Sequence, residues 1–319
     1  MSIYNKSFTS EKWDKVCKYN KDLLEDYLLE LRSQKKSKGT IRTYGYNLRL
    51  VLIYIYDNLN NKEIYKLEKR NFRDMMLYFQ DIGLSSNRMN NIKSPLKSML
   101  AFAEDNNDYK EITVNHVSKL RSITKEPVKE IIFLTDEEIK FIYDTLKEQK
   151  RYKEALLCAI LYDSAGRENE FVQLKRNDII EGKTITTTVV TSKRNKKFKL
   201  IYNARTIEAY KLYENNRRDN LNSLFVNSNG KPANKNNIYR WVKSWKGLLG
   251  YQKDFNVHSF RHSAIENLYN GSHYIAKALN KKFNLVELQL LAHHDSIETT
   301  QKYLKDNSEE QLLQLFTLV

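Results

Sequence analysis

The sequence of 319 residues is longer than one compact domain usually is, and it predicts two domains. Lys and Arg number 54 against 39 Asp and Glu, so the formal net charge of +15 favours a polyanionic partner such as nucleic acid, although a densely solvated surface would carry the same charge. With only two cysteines and no apolar run of about 18 residues, the composition excludes a disulfide framework, a cysteine-based zinc site and a membrane-spanning helix, and we expect a cytoplasmic protein without a membrane partner.

The N-terminal part of the chain has the apolar periodicity of an all-helical domain. Residues 1–13 lack this period and are expected to form an irregular arm, whereas residues 14–108 predict a bundle of helices. Thr40 is the expected N-cap of the second helix, residues 69–81 form the third, and Ser86 opens the fourth. The expected apolar face of the first helix is formed by Leu23, Leu24, Tyr27, Leu28 and Leu31.

Basic residues lie on the outer faces of these predicted helices. Long cationic side chains on an exposed helix face are suited to phosphate contacts along a DNA backbone. The candidate DNA contacts in this domain are Lys38, Arg42, Arg88 and Lys93.

A linker and a second domain follow the bundle. Residues 109–134 have little helical period and contain Pro127, so we expect an extended linker. Thr135 and Glu138 then form a capping-box pattern, which predicts that a second domain begins there and covers residues 135–319.

A short β-hairpin interrupts the helical patterns of the second domain. Residues 184–191 and 198–202 have the composition of strands, and residues 192–197 that of a turn, so we expect a mainly α fold with a small antiparallel β-sheet in this domain. Five of the nine residues from 191 to 199 are basic, and such a turn can reach into a DNA groove, although a solvated charged turn has the same composition. The candidate DNA contacts on this turn are Arg194, Lys196 and Lys197.

Two further stretches pair a cation with an acid or a base. Arg167 follows a glycine at a predicted helix start, and Glu170 can support its guanidinium, although ordinary surface ion pairs have the same spacing. His258 and Arg261 are three residues apart and share one helix face, so that a residue able to move protons lies beside one able to bind two phosphate oxygens.

The order of the candidate residues gives the most specific signal. Six spaced positions read Arg, Lys, His, Arg, His and Tyr: Arg167, Lys193, His258, Arg261, His294 and Tyr303. This order resembles the tyrosine recombinase family, which includes phage integrases, Cre and the Xer proteins. Residues 291–303 match nearly throughout the family's box Leu-Leu-Gly-His-x-Ser-Ile-x-Thr-Thr-x-x-Tyr, which singles out one of the 21 tyrosines.

The sequence also departs from the family pattern. His293 stands where the box has glycine, so two adjacent histidines compete for one role, and the count of nine residues back from Tyr303 favours His294. Arg261 and His294 are 33 residues apart, which is long for the family and predicts an insertion or a longer helix within residues 271–283.

The resemblance implies a transesterification at a DNA phosphodiester. Tyr303 would attack the phosphorus, giving a 3′-phosphotyrosyl intermediate and, after strand exchange, a Holliday junction. Arg167 and Arg261 would neutralise the charge that develops on the phosphate, and Lys193 would protonate the leaving 5′ oxygen. Since these cations supply the positive charge, neither a metal nor another cofactor is expected.

The remaining residues receive supporting roles from the same resemblance. His258 would accept the Tyr303 proton or bind the phosphate, and His294 would donate a hydrogen bond to the phosphate. Glu170 would orient Arg167 or His258.

The resemblance further implies an architecture and partners. We expect a two-domain, C-shaped DNA clamp with a SAM-like core-binding domain at residues 14–108, acting on a double-stranded recombination site as a homotetramer with a dimer on each site. Accessory DNA-bending proteins fit this scheme, as does association with the nucleoid. The apolar tail at residues 309–319 would pack on its own domain or dock into a neighbouring protomer.

Two other classes of function stay open at this point. A type IB topoisomerase-like enzyme or a telomere resolvase would use the same chemistry, and a non-catalytic relative would bind DNA without cutting it. The near-match at residues 291–303 and the six filled positions favour a site-specific recombinase of the integrase kind.

Overall fold

The computed structural model describes residues 9–121, 124, 131–192 and 195–305. The chain divides into two compact units, residues 1–129 and 130–319. The described residues are mostly helical, with one small pair of antiparallel strands in the second unit, so the predicted fold class is confirmed. Within these ranges, no helix has both the length and the apolar character needed to cross a membrane.

The first unit is a helical bundle around a single apolar core. Its helices are α1 (Ser10–Lys15), α2 (Lys18–Ser33), α3 (Lys38–Asn58), α4 (Lys69–Asp81) and α5 (Ser86–Glu104). The predicted bounds of α4 and the predicted start of α5 are confirmed. Two local predictions are wrong. The cap of α3 is Ser37, whose hydroxyl accepts the Thr40 N–H at 3.1 Å, and residues 10–13 of the expected arm belong to α1.

The predicted linker begins inside the first unit. Tyr109, Ile112 and Val117 are buried in the core of that unit, whereas Leu134 is buried in the core of the second. Pro127 and its neighbours lie outside the described residues. The division between residues 129 and 130 therefore falls within the expected linker, whose bounds stay a prediction.

The second unit is built around one helix that is buried over most of its length. Its helices are α6 (Asp136–Glu148), α7 (Tyr152–Ser164), α8 (Glu168–Phe171), α9 (Ala204–Asn216), α10 (Lys235–Ser244), α11 (Val257–Asn270), α12 (Tyr274–Ala278), α13 (Leu285–Ala292) and α14 (Ile297–Gln301). The central α7 is buried from Ala155 to Ser164 and packs against α6, α9 and α11. The predicted capping box at the start of α6 is confirmed, since the Thr135 hydroxyl accepts the Glu138 N–H at 3.2 Å and the Glu138 carboxylate accepts the Thr135 N–H at 2.8 Å.

The predicted hairpin is present, but its regular pairing is shorter than expected. Strand β1 (Val190–Thr191) pairs with β2 (Lys197–Phe198), and Val190 lies opposite Phe198. Before β1 the regular ladder is interrupted because the Asp178 carboxylate accepts the Thr188 N–H at 2.7 Å, which takes that donor out of the ladder. The two segments pair again at an isolated bridge between Ile185 and Ile201. The strand predicted over residues 184–191 is therefore wrong in extent and correct in its partner.

The long spacing between Arg261 and His294 comes from a separate short helix. Gly271 ends α11 at a φ of +85°, and His273 then caps α12. His273 is fully buried, and its ring stacks on that of Tyr162 with centroids 3.9 Å apart. The insertion thus packs into the core of the unit.

Candidate active site

Arg167 is placed by a tight turn at the end of the buried helix α7. A Cβ on Gly166 would lie 2.5 Å from the Phe171 ring, so only glycine fits at that position. The chain then enters α8 with Arg167 as its N-cap. Glu170 accepts the Arg167 backbone N–H at 2.8 Å and its guanidinium Nη1 at 3.2 Å, which places the predicted pair in direct contact.

Ser192 joins this pair to the hairpin. Its hydroxyl donates to Glu170 Oε1 at 2.6 Å and accepts from Arg167 Nη1 at 3.1 Å. Glu170 is only 1% exposed, so its carboxylate acts on these two residues inside the protein. Sequence reasoning missed Ser192, although its place immediately before Lys193 was a usable signal. Lys193 and Arg194 themselves lie outside the described ranges.

Arg261 projects from α11 into the interior. It is 2% exposed; Nη1 donates to the Ala165 carbonyl, and Nη2 donates to the Ala292 carbonyl at 2.6 Å. Its buried Nε has no hydrogen-bond partner among the described residues. Burial, and then the nearby charge of Arg167, lower the pKa of Arg261 from its usual value. Because burying a charge without a counter-ion is unfavourable, an anion bound next to Arg261 would be strongly stabilised.

The two adjacent histidines have separate environments. Helix α13 ends at Ala292, and His293 takes the left-handed conformation with a φ of +51°, the conformation that glycine adopts without strain. This turn directs His294 inward, where it is 7% exposed, while the His293 ring stacks on Phe198. His294 therefore lies in the centre of the candidate site, and His293 packs against the hairpin.

His294 holds Arg261 in a hydrogen-bonded pair. Its Nε2 lies 2.8 Å from Arg261 Nη2, and its Nδ1 lies 3.0 Å from the Thr300 hydroxyl. Because a guanidinium only donates, Nε2 accepts and Nδ1 carries the hydrogen. Burial, reinforced by the charges of Arg261 and Arg167, lowers the pKa of His294 to about 3, so the ring is neutral.

Tyr303 follows α14 and lies among these side chains. Its ring centroid is 4.2 Å from that of His262, 4.7 Å from that of His294 and 6.5 Å from that of His258. The Arg261 Cζ lies 5.2 Å from the Tyr303 ring. The stacked His262 was not predicted, although it lies one helical turn after His258. Burial lowers the pKa of His262 to about 4.

His258 lies at the open side of this group. His258 is exposed to solvent, and its backbone N–H donates to the Asn256 side-chain oxygen at 2.8 Å. Partial burial, and then the charges of Arg261 and Arg167, lower the pKa of His258. Beside it a cleft of about 480 Å³ is lined by Arg167, Asn169, Tyr239, Asn256 and His258. The cleft gives an anionic polymer access to Arg167 and His258.

The predicted DNA contacts differ in their availability. In the first unit Lys38 and Arg42 are exposed, whereas Arg88 donates to the Asn47 side chain at 2.5 Å. Lys93 is 8% exposed and donates to the carbonyls of Leu120 and Arg121 at 2.6 and 2.8 Å. Burial lowers the pKa of Lys93, and its bonded ammonium favours a structural role over the predicted phosphate contact.

The basic hairpin is described in part, and the predicted tail is not. Lys197 is exposed, and Lys196 forms an ion pair with Asp295. The tail predicted at residues 309–319 falls outside the described part of the chain. Among the described residues, no group of three or more His, Cys, Asp or Glu is placed to hold a metal ion.

Taken together, the second unit brings five of the six sequence-predicted residues into one region, and the sixth lies outside the described ranges. Two guanidinium groups, neutral histidines and one phenol suit the binding of a phosphodiester next to an oxygen nucleophile.

Comparison with known proteins agrees with this chemistry. The family model described as "Phage integrase family" matches residues 132–310. The SPbeta prophage-derived recombinase-like protein YomM of Bacillus subtilis is 24% identical, with 95% of this chain and 92% of that protein aligned. The tyrosine recombinase XerD of Staphylococcus haemolyticus is 25% identical, with 92% of this chain and 97% of that protein aligned.

Two solved structures share the fold. A lambda integrase dimer bound to a COC′ core site matches with a TM-score of 0.67 at 17% identity, covering 90% of this chain and 77% of that one. The XerH site-specific recombinase bound to its difH substrate matches with a TM-score of 0.63 at 20% identity, covering 94% of this chain and 85% of that one.

Proposed function

Because the phage integrase match covers more than half of the chain, this protein belongs to the phage integrase family of tyrosine recombinases, and from that premise we propose that it is a site-specific DNA recombinase with Tyr303 as its nucleophile. The observation that carries the proposal is the position of the Tyr303 ring, 4.7 Å from the His294 ring and 5.2 Å from the Arg261 Cζ. Of the 21 tyrosines, this is the one that the family box singles out.

The proposed reaction exchanges one phosphodiester for another. The Tyr303 oxygen attacks the phosphorus and gives up its proton, a P–O bond to tyrosine forms, and the bond to the 5′ oxygen breaks. His258 accepts the proton, since its lowered pKa leaves a ring nitrogen lone pair free near neutral pH. Lys193 returns a proton to the 5′ oxygen. The product is a 3′-phosphotyrosyl strand with a free 5′ hydroxyl, and the reverse attack rejoins DNA.

Positive charge stabilises the transition state. Arg167 and Arg261 bind the non-bridging oxygens. The Nε of Arg261, which has no partner in the described part of the chain, offers one donor that is already desolvated. Glu170 orients Arg167 rather than His258, because its carboxylate contacts the arginine twice.

His294 acts mainly through Arg261. A hydrogen bond from its Nε2 to phosphate would require this nitrogen to release Arg261 and to carry the hydrogen that Nδ1 now directs at Thr300. We therefore assign His294 the task of fixing the arginine.

The proposed partner is a double-stranded recombination site. Lys38, Arg42 and Lys197 are exposed cations suited to its phosphates. The lambda integrase structure is a dimer bound to a core site and the XerH structure is a complex with difH, which supports a dimer on each site. A homotetramer joining two sites, a role of residues 309–319 in that assembly and a nucleoid location complete the proposal.

Plasmid recombination tests the proposed function. The first site to try is the DNA flanking the gene, searched for inverted repeats about one helical turn apart. A plasmid carrying two copies should be resolved or inverted, and one lacking copies should stay supercoiled. Relaxation of the site-free plasmid would favour a topoisomerase instead, and site binding without any covalent adduct on a nicked substrate would favour a non-catalytic relative.

A further inference from the structure

The basic hairpin is stacked onto the turn that carries His294. The ring of Phe198, in β2, faces the ring of His293 with centroids 3.6 Å apart and an interplanar angle of 18°. Both side chains are half-buried. Because His293 directly precedes His294, this stack connects the hairpin to the centre of the candidate site through a single peptide unit.

Three polar contacts accompany the stack. The Lys196 ammonium pairs with the Asp295 carboxylate, so residues on either side of His294 hold residues of the same hairpin. At the other strand, the Ser192 hydroxyl is bonded to Glu170, and the Ser192 N–H closes the turn by donating to the Lys196 carbonyl at 2.8 Å. The hairpin is thus fixed at both of its strands.

His293 has a side chain at a backbone position that suits glycine. A left-handed φ of +51° disfavours any residue with a side chain, and glycine would adopt it freely. His293 accepts that cost and places a flat ring against Phe198. Burial lowers its pKa, so the stacked ring is neutral.

We propose that His293 is a positioning residue, whose stack on Phe198 holds the basic hairpin in register with the segment from His294 to Tyr303. The inference rests on the proposed function, in which Lys193, carried by this hairpin, protonates the leaving oxygen. A hairpin held less firmly lowers the fraction of time in which that proton is delivered, while Tyr303 and the two arginines keep their places.

A modified substrate separates this role from general damage. In DNA with sulfur as the bridging 5′ atom, the P–S bond breaks and the thiolate leaves without a proton, because a thiol is a far stronger acid than an alcohol. The variants are His293→Gly and Phe198→Ala. The matched control is Lys150→Gly, which also puts glycine at a left-handed residue, with a φ of +57°, but lies before the start of α7, whereas Arg167 follows the end of that helix.

The expected result is a selective loss. On ordinary nicked DNA, His293→Gly and Phe198→Ala should cleave about tenfold more slowly than the parent, as a modest misplacement of a catalytic group does. On the sulfur substrate both should match the parent, and Lys150→Gly should match it on both. Phe198→Tyr, which keeps the ring, should behave as the parent and guards against misfolding of the Ala variant.

Different results would contradict the role of His293 and the proposed function on which that role rests. His293→Gly at the parent rate on both substrates, or equally slow on both, overturns the inference. Lys193→Ala unrescued by sulfur overturns the role assigned to Lys193. In that case trypsin cleavage at the basic hairpin of the free protein decides: faster cutting in His293→Gly than in Lys150→Gly supports the stack, and equal cutting refutes it.

Discussion

Arg261 and His294 form a direct side-chain pair, in which Nη2 of the arginine donates to Nε2 of the histidine at 2.8 Å and both residues are buried. His294→Gln keeps an acceptor near that position, so we expect cleavage within about tenfold of the parent. His294→Leu leaves a guanidinium donor unpaired, and we expect a loss of about 100-fold, the size seen when one oriented donor is lost. Single-turnover cleavage of a nicked substrate measures both, and equal losses would contradict the pairing role.

Glu170 keeps Arg167 and Ser192 together, and its neutralisation should weaken catalysis. Glu170→Gln retains the shape but loses the charge facing Arg167 Nη1, so we predict cleavage about tenfold slower with DNA affinity little changed. Glu181→Gln is the control, because Glu181 forms an exposed ion pair with Lys211 outside the site. An unchanged cleavage rate in Glu170→Gln would show that Arg167 does not depend on this carboxylate.

His273 should make the stability of the protein depend on pH. Burial lowers its pKa from 6.5 to about 3 in the folded state, so the unfolded state binds the proton more readily. The free energy of unfolding is therefore unaffected by this group above pH 6.5 and decreases as the pH falls from there towards 3. His273→Asn retains a helix cap and removes the titration.

Urea unfolding between about pH 6 and pH 4 measures that effect. The slope of the unfolding free energy against pH should be smaller in His273→Asn by up to about 1.4 kcal/mol per pH unit, whatever the loss of absolute stability from the missing ring. His116→Asn in the first unit is the control. Parallel slopes for the parent and His273→Asn would refute the prediction.

Substitution of Lys93 should lower the stability of the protein, whereas substitution of Arg42 should weaken its binding to DNA. Lys93→Ala leaves the carbonyls of Leu120 and Arg121 without their donor, and we expect a loss of about 1–3 kcal/mol in the free energy of unfolding. Arg42→Ala should leave stability unchanged and reduce the salt dependence of DNA affinity by about one phosphate contact. If Lys93→Ala instead lowered the salt dependence with stability intact, Lys93 would be a phosphate contact after all.

Local patterns predicted much of the fold. The bounds of α4 and the start of α5 follow from apolar period and capping residues, and the Thr135–Glu138 box marks α6 correctly. The same helical spacing should have predicted that Lys93 is buried. It lies four residues after Met89 and three before Leu96, on the buried face of α5, so helical spacing already places it inward.

Contacts between distant segments could not be predicted from the sequence. The Ser192–Glu170 hydrogen bond, the His262–Tyr303 stack and the His293–Phe198 stack each join segments far apart in the chain, so no local pattern signals them. Family order identified the residues of the candidate site. Only the folded chain shows that His294 faces Arg261 while His293 faces the hairpin.

Locating the covalent bond tests the central claim most directly. The protein is trapped on a nicked suicide substrate, digested with nuclease and protease, and the nucleotide-bearing peptide is sequenced by mass spectrometry. The nucleotide should be attached through its 3′ phosphate to Tyr303, and Tyr303→Phe should bind the same DNA without forming an adduct. A nucleotide on any of the other tyrosines, or an adduct that persists in Tyr303→Phe, would contradict the assignment of Tyr303 as the nucleophile.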